Sequence, residues 1–262
     1  ILDIFEGTFG EEYSELYELF RTKAMNFLAM KKYDEVFEWY QKALRQAHKN
    51  PDNRFQILTA YRDLAKVHIE KGQFDQAEWY YNKCFDVIHT EIEKYHSQLT
   101  NVLSEMGDMY VKKGDLKLAL QRYYEAMGDI DNMSVKDQPI KAKILTRIAE
   151  VQRKLGDHED SLRCARLAQE LFEKSSACDD PPELASCYNL LGWDLYDEGN
   201  YSEALKFFKK AIQIEIKNFG REHAELTPSW KGMKSVFEQT GNEEEARKCK
   251  ESILDAEKAK SF

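Results

Sequence analysis

The stretch Tyr188-Asn189-Leu190-Leu191-Gly192-Trp193-Asp194-Leu195-Tyr196, then Asp197-Glu198-Gly199-Asn200, then Tyr201-Ser202-Glu203-Ala204-Leu205-Lys206-Phe207-Phe208, decides the fold. Apolar and small residues three and four apart on both sides of Gly199 describe two helical faces. Glycine followed by asparagine reads as the end of one helix and the cap of the next. The first residue is free to go left-handed, and the second offers a side-chain oxygen to new backbone N–H groups. The same break recurs at Lys71-Gly72-Gln73, Lys113-Gly114-Asp115, Leu155-Gly156-Asp157 and Thr240-Gly241-Asn242, so that successive glycines stand 42, 42, 43 and 42 residues apart. That spacing is a repeat.

Each copy aligns on a small residue five positions after its glycine: Ala77, Ala119, Ser161, Ala204 and Ala246. A sixth copy precedes them at Lys32-Tyr33-Asp34-Glu35-Val36, with Lys31 in the place of the glycine. Twelve residues before these positions stand further small residues, Ala24, Ala65, Gly107, Ala149 and Gly192. Four residues after them come Tyr40, Tyr81, Tyr123 and Phe208; seven after come Ala43, Cys84, Ala126, Ala168, Ala211 and Ile253. Small residues at fixed places let two antiparallel helices approach closely. Pro51, Pro139, Pro181-Pro182 and Pro228 fall between the helical stretches, where a missing backbone donor is tolerated.

This pattern resembles the tetratricopeptide repeat, W-x2-L-G-x2-Y followed by A-x3-F. Tyr188-x2-Leu191-Gly192 with Ala204-x3-Phe208 is one good copy; Leu103-x2-Met106-Gly107-x2-Tyr110 with Ala119-x3-Tyr123 is another. The period of about 42 exceeds the usual value of about 34, and the linker Asn218-Phe219-Gly220-Arg221-Glu222-His223 looks like the kinesin light chain subtype. The resemblance implies an all-α, right-handed α-solenoid of six helix-turn-helix repeats forming a single domain over 1–262. The repeats are expected at approximately 17–50, 58–92, 100–134, 142–176, 185–218 and 227–260. In that register residues 1–8 overlay the end of a second helix, which reads as the tail of a truncated preceding repeat. The competing reading is a segment that docks into the chain's own groove.

Composition narrows the function. The 38 basic and 47 acidic residues leave a net charge of −9, so general phosphate-backbone binding lacks its basic face. No run approaches a membrane span. The five cysteines, Cys84, Cys164, Cys178, Cys187 and Cys249, form no CxxC pair, which points to reduced thiols and a cytoplasmic location. The histidines are scattered over different repeats, and no HExxH, Walker A, GxGxxG or GxSxG stretch occurs. The chain is therefore not read as an enzyme, and no metal or other cofactor is expected. His68 and Cys84 fall at packing positions, and Trp39, Trp79 and Trp230 lie on such positions or next to them, where helix–helix core is the expectation.

In stacked repeats of this family the first helix of each unit lines a concave groove. Carried over copy by copy, the groove residues expected to bind a partner are Arg21, Arg62, Lys66, Glu105, Asp108, Arg147, Glu150, Arg153, Asn189, Trp193 and Tyr196. An asparagine such as Asn189 supplies both a donor and an acceptor to an extended peptide. Arg62 and Lys66, one turn apart, suit acidic side chains, and Trp193 suits an apolar anchor. The expected function is a non-catalytic scaffold binding a protein or peptide with acidic residues at one end and an apolar anchor at the other. The alternative is a regulatory sensor whose ligand controls an attached effector module.

Overall fold

The computed structural model describes residues 15–49, 53–130, 138–175, 181–221 and 223–259. Twelve α-helices, one short 3-10 turn and no strand lie among them. In chain order they are α1 (Glu15–Ala29), α2 (Tyr33–Lys49), α3 (Arg54–Glu70), α4 (Phe74–Ile88), α5 (Ile92–Lys113) and α6 (Leu116–Ile130). Then follow α7 (Gln138–Leu155), α8 (His158–Lys174), α9 (Pro182–Asp197), α10 (Tyr201–Phe219), the 3-10 turn Ala224–Leu226, α11 (Thr227–Gln239) and α12 (Glu243–Ala259). Odd-numbered helices are the first, and even-numbered the second, of each repeat. This is the all-α helix-turn-helix class that the repeat predicts. The chain gathers into two compact units, one ending at Asp129 and one beginning at Ile130. The expected tail at 1–8 lies outside the described residues.

One backbone device closes every turn between paired helices. The residue after the left-handed position donates its N–H to the carbonyl five residues back: Gln73 to His68 at 2.8 Å, Asp115 to Tyr110 at 2.9 Å, Asp157 to Gln152 at 2.9 Å, and Asn200 to Leu195 at 2.8 Å. Asn242 to Phe237 at 2.8 Å completes the glycine-bearing series. Side-chain oxygens of Asp157 and Asn200 then accept from the first turn of the next helix, at Asp160 and Glu203. The first repeat makes the same turn without glycine. Lys32 donates to Phe27 at 3.0 Å while Lys31 is held at φ 56°, the one non-glycine residue at positive φ among those described. A Cβ in that region is crowded by the following carbonyl, a strain of about 1 kcal/mol or more.

Packing follows the predicted register. Ala24, Ala65 and Ala149 are fully buried, as are Ala43, Cys84, Ala126, Ala168 and Ala211. Where the small residue is glycine, a ring from the second helix fills the space: a Cβ on Gly192 would stand 2.7 Å from Phe208 Cε1, and one on Gly107 would collide with Tyr123. The ring of Phe208 also meets Gly232 on α11, a close approach that the repeat alignment does not reveal. His68 packs as expected, stacked on Tyr80 with ring centroids 5.3 Å apart and its Nδ1 2.8 Å from Gln73 Oε1. Trp79 does not: it is 53% exposed, because the helix turns it outward two residues past buried Ala77. Trp39 is half-buried, with the Lys23 ammonium 3.9 Å and the Lys42 ammonium 4.1 Å from its ring centre.

Two stability outcomes are expected. Lys31→Gly removes a left-handed Cβ but frees the unfolded chain, for a net gain of about 0.5–1 kcal/mol in chemical denaturation. Gly192→Leu drives a side chain into the Phe208 ring and costs on the order of 1–3 kcal/mol or more. Phe208→Ala costs less in the Gly192→Leu background than in the wild type, a coupling that makes the contact itself the cause; an unchanged melting curve for Gly192→Leu alone would contradict the packing register.

Candidate functional site

The first-helix residues carry an ordered set of charges, and the period brings them together. Arg21 on α1 donates its Nε to Asp63 Oδ2 on α3 at 2.6 Å. Arg62 on α3 grips Glu105 on α5 with both arms, Nε to Oε2 at 3.0 Å and a terminal nitrogen to Oε1 at 2.6 Å. Lys66 joins the same carboxylate at 2.9 Å, and Lys112 reaches Glu70 at 2.7 Å. Each pair joins the first helices of neighbouring repeats. Burial alone would push the Glu105 carboxyl up, but Arg62 and Lys66 outweigh it and hold it below the ordinary carboxylate range. Lys66, Glu105 and Asp108 line a pocket of about 180 Å³ between α3 and α5, floored by Ile69, Tyr81 and Met109. Asp108 accepts a hydrogen bond from the Tyr123 hydroxyl at 2.7 Å.

In the second unit the predicted residues form two groups. Arg147 and Glu150 make a loose pair of 3.7 Å on α7. Arg153 crosses to α9, donating to Asp194 and Asp197 at 2.6 Å each, with its guanidinium 5.9 Å from the centre of the Trp193 ring. Trp193 stands edge-on to Tyr196 at 5.6 Å and to Phe208 at 5.4 Å. One wall of a pocket of about 580 Å³ is Trp193; the others come from Ala224 and Glu225 of the 3-10 turn, Thr227, Pro228 and Lys231 of α11, and Glu257 of α12. Its volume lies within the range that encloses small ligands or a few side chains. Asn189 is engaged from below: its amide nitrogen donates to Glu215 at 3.1 Å, and its oxygen accepts from Ser229 at 2.8 Å.

The cation partners were not part of the sequence expectation. The sequence alone presents Arg21, Arg62 and Lys66 as a positive stretch facing a ligand, and in the structure they meet acids of the following repeat. The signal was available in the register. Arg21 and Arg62 stand three residues before Ala24 and Ala65, while Asp63 and Glu105 stand two before Ala65 and Gly107. Neither Glu215 nor Ser229 carries a sequence motif, and only the fold places them under Asn189.

Other chemistry has a clear local reading. Candidate ligand atoms of His158, Asp194 and Asp197 lie within 4.8 Å of one another. The Arg153 guanidinium already bridges both carboxylates there, so the donor set does not fit a metal ion. Burial pushes the thiols of Cys84 and Cys187 up to about 12 and that of Cys249 to about 11, which keeps them un-ionised and poor nucleophiles. No helix among the described residues is long and apolar enough to cross a membrane.

Comparison with known proteins agrees with this architecture. A family model for the tetratricopeptide repeat matches residues 15–88, 56–128 and 141–217. The RxLR effector protein SFI4 of Phytophthora infestans is 21% identical over 213 residues, covering 79% of this chain and 61% of that protein. Among solved structures, BtubC (BKLC) of P. vanneervenii is similar with a TM-score of 0.71 and 19% identity, over 88% of this chain and 90% of that one. A Podospora anserina chain described as kinesin light chain, with nearly identical TPR-like repeats, is similar with a TM-score of 0.59 and 14% identity, over 76% and 94%. These are likenesses of fold, the α-solenoid class with kinesin-light-chain-like repeats. The chain spans about three fifths and about half of the length of two curated relatives it matches, and 15% of a third.

The Arg62–Glu105 pair gives a pH-resolved outcome. Arg62→Ala leaves a carboxylate whose side chain is only 20% exposed without its bidentate partner, at a cost of about 2–4 kcal/mol at pH 7. Arg147→Ala, on an exposed pair, changes stability by about 0.5 kcal/mol or less. Because the Glu105 carboxyl is held low in the folded chain, its contribution is full above the ordinary value of 4.5 and is lost as pH falls through the lowered one. Melting profiles of wild type and Arg62→Ala therefore converge on the acid side; parallel profiles would show that the pair does not stabilise the stack.

Proposed function

The chain belongs to the tetratricopeptide repeat family, whose repeats mediate protein–protein interactions, and from that premise we propose that it is a non-catalytic interaction module. It reads a peptide or partner domain with the side chains of its first helices. The observation that carries this reading is the 580 Å³ pocket beside Trp193. An aromatic wall, the ring of Pro228 and a few polar groups suit an apolar side chain of a ligand, and desolvated anchors of that kind dominate interface energy. Asn189 stands one helical turn before Trp193 on the same helix, and its amide is held in one orientation. That arrangement suits an extended backbone running past the anchor.

In the first unit, the rim of the α3–α5 pocket supplies the charge recognition. Arg62 is committed to Glu105, whereas Lys66 and Lys112 keep side chains 49% and 55% exposed. Acidic residues of a ligand would meet these two ammonium groups, exchanging one carboxylate partner for another. Such exchangeable surface charges tune association rate and salt dependence more than they add affinity.

The test is a selection of peptides from a displayed library on the wild-type chain, followed by calorimetric titration of the strongest binder. Trp193→Ala weakens it by roughly 1–3 kcal/mol, while Gln76→Ala, an exposed change on the second helix α4, leaves it unchanged. Reversing Lys66 and Lys112 together makes binding weaker and less dependent on salt. A peptide that binds Trp193→Ala normally and loses affinity on changing Gln76 or Lys206 would move recognition to the second-helix face.

A further inference from the structure

Beneath Asn189 lies a buried carboxyl that no cation among the described residues pairs. Glu215 on α10 is 5% exposed. Among the described residues, the groups that face it are Asn189 from α9, Ser229 from α11 and, from the 3-10 turn, Glu225, which is itself an acid. The three side chains form a closed triangle. Ser229 Oγ lies 2.8 Å from Asn189 Oδ1 and spans both carboxyl oxygens of Glu215, 2.7 Å from Oε2 and 2.9 Å from Oε1, and Asn189 Nδ2 lies 3.1 Å from Glu215 Oε1.

A count of hydrogens decides its protonation. Each of the three edges needs a hydrogen, the two Ser229–Glu215 distances sharing one. The amide of Asn189 donates only from its nitrogen, so it supplies one of its two contacts, and the serine hydroxyl supplies one more. Exchanging the amide oxygen and nitrogen alters which contacts are served but not the number. If Glu215 were ionised, one edge of the triangle would set two oxygen lone pairs against each other in a dry site, without a compensating charge. We propose that Glu215 carries its proton at neutral pH and donates the third hydrogen bond, closing a neutral lock that ties α9, α10 and α11 and fixes the Asn189 amide.

The sign of the pH dependence follows. Burial pushes the Glu215 carboxyl up, and Glu225 adds to the shift, while Ser229 and Asn189 oppose it. A group that holds its proton more tightly when folded contributes fully below its ordinary value of 4.5 and loses that contribution as pH rises through the raised one. This is the reverse of Glu105. Alkali therefore loosens the second unit at the helix that bears Asn189 and Trp193, while acid loosens the first.

The test needs no ligand, so it is independent of the proposed peptide recognition. Glu215→Gln keeps a donor toward Ser229 and an acceptor toward Asn189 but cannot ionise. Its melting temperature matches or exceeds that of wild type at pH 7, and the gap widens by about 2–4 °C between pH 6 and pH 9, taken as about 1 kcal/mol for a chain of this size. In parallel, the Glu215 carboxyl carbon, assigned in the wild type through its bonded side-chain and backbone correlations, reports a protonated group at pH 7 in a carbon-13 titration. Ionisation of that carboxyl at its ordinary value overturns the proposal, even if the variant does not fold. So does a melting gap that stays constant or closes as pH rises.

Discussion

Paired helices in this chain are set by rings lying where a side chain is missing. Tyr123 covers Gly107 and Phe208 covers Gly192, and Ala24 shares one buried cluster with Tyr40. Helix separation depends on the bulk at the contact, so these positions fix how closely the two helices of a repeat lie. The candidate binding face inherits that geometry. The Tyr123 hydroxyl emerges at Asp108, Tyr81 floors the pocket between α3 and α5, and Phe208 backs Trp193. Core packing and candidate binding surface are thus two sides of the same rings.

Charge enters as a second layer. Bidentate Arg62–Glu105 and the bridge from Arg153 to Asp194 and Asp197 are sheltered, and their partners lie on successive first helices. Such pairs are costly to bury and strongly destabilising to break, so they favour one stacking register over its neighbours. Glu215 meets the same problem of a buried carboxyl through hydrogen bonds with uncharged neighbours.

Most of the fold was legible because one period repeated its signals. The glycine turns, the small residues and the covering rings occupy the expected places, and even Lys31 adopts the left-handed conformation that its alignment with glycine implied. Legibility faded where two repeats meet. A spacing inside one repeat identifies a helix face, but the partner of Arg21 is found only by comparing positions across repeats. Gly232, pressed on the far side of Phe208, and Ser229, closing the Asn189 triangle, answer to contacts between α10 and α11 that no single copy encodes. The outward turn of Trp79 marks the opposite limit: a large aromatic beside a packing position took the solvent side because Ala77 and Tyr81 already filled the inner one.

The adjacent residues Arg62 and Asp63 have a consequence for how such a chain could grow. Asp63 accepts from the arginine of the repeat before it, and Arg62 donates to the acid at the equivalent place in the repeat after it. The second repeat therefore carries complementary halves of the joint on its two neighbouring positions. A tandem duplication of that segment would present each new copy's arginine to the next copy's aspartate. Lengthening by whole modules preserves every ionic joint, whereas an insertion of any other length separates them. The Arg-Asp dipeptide is in that sense a coupling that is compatible with itself, and it makes the number of modules easier to change during evolution than their spacing.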